Sequence, residues 1–145
     1  MANALFVAFK AKQLGDAGVS GPTVVNWETD TIKISLIDES GGAVDENTHQ
    51  DWADISTKEV GTAGGVTLTS PTVTFATNTV TIDAADATFT SVTGVSVESL
   101  VIWKDDTTDA ASTLIVVFDT ATGLPVTPNG GNIVSQFNAS GIATW

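Results

Sequence analysis

Residues 100–137 read LVIWKDDTTDAASTLIVVFDTATGLPVTPNGGNIVSQF, and this stretch decides the fold class. Residues 114–118 form an unbroken run of Leu, Ile, Val and Phe, and residues 132–137 alternate apolar with polar. Between them, residues 123–131 (GLPVTPNGG) supply the glycine, proline and asparagine that set a turn, including positive φ, at little conformational cost. Two strand-like runs joined by turn chemistry read as a hairpin. The stretch holds no catalytic motif, so it speaks of construction rather than reaction.

Working outward, the same pattern recurs. Residues 31–37 place Ile32, Ile34 and Leu36 on one face and Lys33 and Ser35 on the other, the period-2 signature of a half-buried strand. Further strand candidates lie at 66–68, 72–75, 79–82, 88–92 and 97–103, separated by Gly, Asn, Asp or Pro at the intervals of an antiparallel β-protein. Threonine is abundant in these runs because a β-branched side chain suits a pleated, half-exposed surface. The expected fold is all-β, an antiparallel sandwich or a jelly-roll-like barrel.

One helix precedes it. Across residues 4–14, Leu5, Ala8 and Phe9 recur at three- and four-residue spacing, with Lys10, Lys12 and Gln13 on the polar side and Asn3 as the expected cap. The glycines and proline of residues 15–22 end it. An isolated helix this short is marginal in water, so Leu5, Phe6 and Phe9 need cover, from the domain's own sheet or from a neighbouring subunit. The 145 residues fit a single domain, with 1–26 as helix and arm and 27–145 as β-domain. Residues 38–54 are the most polar stretch and read as a long surface excursion.

Composition narrows function. Five Lys, no Arg and 17 Asp plus Glu give a formal charge of −12, which repels a phosphate backbone and offers no guanidinium to grip it. Nucleic acid is not an expected partner, and the acidity serves solubility. Without cysteine there is no disulfide, thiolate metal site or cysteine nucleophile. The sequence shows neither a secretory leader nor a stretch of about 20 apolar residues for a bilayer, so a product made soluble in a cytoplasm, with no membrane partner, is expected.

The carboxylates gather as Asp45, Glu46, Asp51 and Asp54; Asp83 and Asp86; and Asp105, Asp106 and Asp109. Calcium takes six to eight oxygens, and Asp105, Asp106 and Asp109 are the first choice for it, but none of the groups has an EF-hand or glycine-rich repeat spacing. Solvated loops are the expectation, with no metal and no cofactor. His49 stands alone without a nucleophile elbow or further His or Cys partners, which leaves no catalytic residues to name. Of the four tryptophans, Trp27 and Trp103 adjoin apolar strands and belong to the core. Trp52 and Trp145 lie where local burial is hard. Aromatic rings of this kind are enriched at protein interfaces, so Leu5, Phe6, Phe9, Trp52 and Trp145 are the candidate interface residues.

The start MANALF…FK, the Trp27-x-x-Asp30-Thr31-Ile32-Lys33 strand, the Asp83-Ala84-Ala85-Asp86 turn and the Gly123-Leu124-Pro125-Val126-Thr127…Asn129-Gly130-Gly131 hairpin together resemble a family of small virion proteins of tailed bacteriophages. The resemblance covers nearly the whole chain, with residues 14–26 longer than in many relatives. It implies a non-enzymatic particle component, most specifically a decoration or cement protein on the capsid exterior. The implied partners are the major capsid protein and further copies of itself, up to a trimer, after synthesis in the host cytoplasm. The alternative is a tail-fibre or adhesin tip that stacks host carbohydrate on Trp52 beside His49 and neighbouring carboxylates. A third option is a tail-tube or neck protein that forms rings through its sheet edges.

Overall fold

The structure, a computed structural model, describes residues 3–15 and 24–145. Its elements run β1 (Ala4–Leu5), α1 (Val7–Gln13), β2 (Ile32–Ile37), β3 (Glu59–Val60), β4 (Val66–Thr67), β5 (Thr72–Ala76) and β6 (Thr79–Asp83). There follow β7 (Ala87–Phe89), β8 (Ser99–Lys104), β9 (Leu114–Phe118), β10 (Ile133–Ser135) and β11 (Ala143–Thr144), and two 3-10 turns lie between β2 and β3. All strand pairs are antiparallel. The fold is all-β, three antiparallel sheets around one cluster of buried apolar side chains, with no closed barrel among the described residues.

The main sheet has the order β1-β9-β8-β2-β3, with β4 also on β2. Its three central strands are the most apolar in the chain and are buried on nearly every residue. A strand that alternates is half-covered, whereas these are covered on both faces, and that corrects the half-buried reading of residues 31–37. Ser35 shows how. Its Oγ is fully buried, accepts the Trp103 indole N–H at 3.0 Å and donates to Glu59 Oε1 at 2.7 Å. A polar side chain is tolerated there because both of its roles are satisfied.

Register fixes what lies over each face. Lys33, Ser35 and Ile37 oppose Trp103, Val101 and Ser99, so these share one face. The Trp52 ring stacks on Trp103 with centroids 4.3 Å apart and planes 5° apart. Residues 38–54 are therefore a strap across this face and not a free surface excursion: Val44, Asp51 and Trp52 are buried, as is Ile55 just beyond them. The end of the strap is stitched to the segment before β9 by Trp52 N–H to Ser112 O at 2.7 Å and Leu114 N–H to Gln50 O at 3.1 Å. Leu36 and Leu100, from the opposite face, border a cleft shared with β10, which places the two-stranded sheet β7-β10 on that side.

The expected hairpin of residues 114–118 with 132–137 does not form. β9 pairs with β8 and β1, while β10 pairs with β7, so the turn-rich segment carries the chain from one sheet to another. Val126 anchors that crossing by exchanging backbone hydrogen bonds with Val97 at 2.8 and 2.9 Å.

The helix is shorter than expected because the first residues extend β9: Ala4 and Leu5 pair with Val117 and Val116. Asn3 is not its cap. The Asn3 carboxamide oxygen instead accepts the N–H groups of Asp119 and Thr120, each at 3.1 Å. Phe6 and Phe9 are buried against the chain's own core, and Val7 N–H donates to Glu46 O in the strap. Lys12, expected on the polar side, is fully buried. Its ammonium lies 3.0 Å from Asp51 Oδ1 and 2.9 Å from Thr113 Oγ1, joining helix, strap and sheet. The helix stops at Gly15, whose φ of 82° is the left-handed value favoured after a C-terminus. The rest of the terminating segment, 16–22, lies outside the described residues.

A third sheet has the order β11-β6-β5. β5 and β6 form a hairpin across Thr77-Asn78, with Asn78 at φ 64°, a value asparagine tolerates better than its threonine neighbours. β11 crosses close behind β6 because Gly141 leaves room: any side chain there would collide with Thr81. Among the described residues no helix is long and apolar enough to cross a membrane.

Candidate interaction surface

The polar clusters are occupied with the chain's own backbone. Asp45 accepts the Asn47 N–H at 2.9 Å and the Thr48 hydroxyl at 2.8 Å. The backbone N–H of Asn47, followed by the Thr48 hydroxyl, holds the Asp45 carboxyl below the usual carboxylate range. Asp45 N–H donates to His49 Nδ1 at 3.0 Å, which fixes the proton of a neutral His49 on Nε2. Asp54 Oδ2 accepts the N–H groups of Gln50 and Asp51, and Asp86 Oδ1 accepts the Phe137 N–H at 2.9 Å. Asp38 and Asp106 are likewise held low, chiefly by the N–H groups of Ser40 and Thr107.

Two of the three acids considered first for calcium are held in ion pairs. Asp105 pairs with Lys33 at 2.8 Å and Asp106 with Lys104 at 3.4 Å, while Asp109 stands exposed in the loop. Among the described residues no three His, Cys, Asp or Glu side chains gather as a metal site.

The candidate interface residues divide. Phe6, Phe9 and Trp52 are buried inside this chain, so Trp52 offers no open ring beside His49 on which a sugar could stack. Leu5 is half-buried and Trp145 is 48% exposed. These two come together with Val7, Lys10 and Glu46 around a cleft of about 580 Å³ between β1 and β11. The Trp145 ring meets Phe9 edge to face, with centroids 6.2 Å apart. Glu46 Oε2, at this cleft, is buried with no hydrogen-bond partner among the described residues.

The sequence reading missed the most exposed aromatic side chain among the described residues. Phe75 is 87% exposed, on a β5 strand whose every residue is exposed. Register puts Val73 and Phe75 on the same face as Ile82 and Val80, and this face begins over Trp27 and Phe9 but runs out past them. Phe75 therefore overhangs the core. A signal was present in the sequence: no residue from Val60 to Ile82 carries a charge, in a chain of net −12.

No model of a known protein family matches this chain, and no curated protein matches it in sequence.

Proposed function

We propose that this chain is a non-enzymatic structural component of a tailed-bacteriophage particle, and most specifically a decoration or cement protein on the capsid exterior. One observation carries the reading: apolar side chains stand exposed along open sheet edges, at Val73 and Phe75 on β5 and at Trp145 after β11, while carboxylates such as Asp45 and Asp54 are engaged by the chain's own backbone. Such a surface suits contact with protein rather than chemistry on a small substrate. Bound across neighbouring capsomers, it stabilises the shell by linkage: apolar area buried only in the assembled state favours that state over the expanded or disassembled one. The acidic remainder of the surface keeps finished particles apart.

Quantitative mass spectrometry of purified particles, scaled to the major capsid protein, tests it. Copies in the hundreds are expected. A handful of copies per particle transfers the chain to the tail, and absence from the particle overturns the virion reading.

A further inference from the structure

β5 has an open side with its hydrogen-bonding groups in place. Across β6, Val80 exchanges backbone hydrogen bonds with Trp145 at 2.9 and 3.1 Å, and Ile82 O accepts the Ile142 N–H at 2.8 Å. In an antiparallel ladder, residues directly opposite one another orient their backbone groups alike, toward each other or away. Val80 and Ile82 point away from β5, so their partners Phe75 and Val73 point away from β6, to the open side. Val73 bears this out: its N–H donates to Glu28 Oε1 at 3.2 Å. No other strand lies along that side among the described residues.

We propose that the outer edge of β5 pairs antiparallel with β5 of a second copy of this chain, about a two-fold axis at Thr74. The two three-stranded sheets then become one. This deepens the assembly reading above by naming a surface and a partner.

Three features favour a second copy as occupant. The strand is self-complementary: with the axis at Thr74, Val73 meets Phe75 of the second copy and Phe75 meets Val73 of the second copy. All four apolar side chains then lie on one face, and Thr72, Thr74 and Ala76 on the other. Charge points the same way. A formal charge of −12 opposes self-contact over most of the surface. Yet β5 and β11 carry no charged side chain and β6 carries Asp83 alone, at the end away from the turn. Finally, edge strands that stay single are commonly blunted by Lys, an inward charge or a bulge, and β5 has none of these within it. Its guards are Pro71, which lacks an N–H just before the strand, and Glu28, whose oxygen occupies the place that the Phe75 carbonyl of the second copy would take.

A strand pair of this length buries less than the roughly 1,200–2,000 Å² of a stable interface. The pair is therefore weak in free solution and strengthens where a surface holds copies close together.

The absence of native cysteine provides the test. On the axis, Thr74 faces Thr74 of the second copy at a non-hydrogen-bonded position, where Cα atoms lie about 4.5 Å apart, within disulfide reach. Thr74→Cys under mild oxidation is expected to form a linked dimer at least about tenfold faster than Val95→Cys, a control in a loop outside this sheet. Adding Phe75→Lys returns the rate to that of the control, and adding Glu28→Ala raises it. Far-ultraviolet circular dichroism of each variant confirms the fold. Linkage no faster than at Val95, or insensitive to Phe75→Lys, overturns the proposal. The virion reading is scored separately: a chain abundant on particles whose Thr74→Cys variant fails to link there keeps its place on the particle and loses self-pairing.

Discussion

Residues 38–54 and the β5-β6 hairpin treat polarity in opposite ways. The first is dense in carboxylates yet sends Val44 and Trp52 into the core and sets Asp51 against a buried lysine. The second carries one charge yet stands in solvent with a phenylalanine near its tip. The strap is held because its polar groups close on themselves, as Asp45 and Asp54 do, leaving the apolar side chains free to face the sheet. The hairpin is exposed because it reaches beyond the layer beneath it. Composition alone ranks the two in the wrong order, and the position of the core decides.

The largest effect is expected from cutting the strap away from the sheet. Trp52→Ala removes the stack on Trp103 and is expected to cost about 4 kcal/mol of stability in urea unfolding, with loss of the near-ultraviolet dichroism of the paired indoles. A cost under about 1 kcal/mol would place Trp52 on the surface after all. Next is the ion pair beneath the strap. Asp51→Ala strands the Lys12 ammonium and is expected to cost about 3 kcal/mol, whereas Lys12→Met combined with Asp51→Asn recovers most of that. Failure of the double variant to recover would mean that the pair is not isolated from water.

Acid tests the loops themselves. Asp38, Asp45 and Asp106 have folded-state values below their unfolded ones, so the folded chain releases these protons more readily. The stability they confer is complete above about pH 4 and is lost as pH falls through the lowered values. Urea midpoints measured from about pH 5 downward should fall, and Asp45→Asn should flatten the slope; an unchanged slope removes Asp45 from the account. The smallest effect is expected at the hairpin. Phe75→Ala should change the stability of the folded chain by no more than about 0.5 kcal/mol, since its side chain stands almost wholly in solvent. A larger loss would show that the hairpin is part of the core.

What could be read from residues in advance follows the same division. β9 was legible to the residue because an unbroken apolar run has one sensible place. Trp27 and Trp103 were legible as core because each adjoins a strongly apolar strand in the sequence. The partner of β10 was not, because turn chemistry fixes a change of direction and leaves open which sheet receives the strand. Lys12 was misread because the helix pattern ranks it by its own chemistry, while its burial depends on Asp51 and Thr113, distant in sequence. The exposure of Val73 and Phe75 was not legible for the complementary reason: alternation marks a strand, and only the folded chain shows where cover ends.

The seat of the first strand has a consequence for the order of events. Leu5 pairs with Val116, Asn3 clasps Thr120 and Lys12 reaches Thr113, so the opening of the chain completes an edge whose other side is among its later parts. During synthesis Phe6 and Phe9 must wait until β9 has left the ribosome before they find a home. Contacts this distant along the chain slow folding and leave apolar side chains exposed in the interval. The protein is thus expected to fold late and all at once, closing like a clasp, and a nascent chain halted before β9 is the form that chaperones would hold.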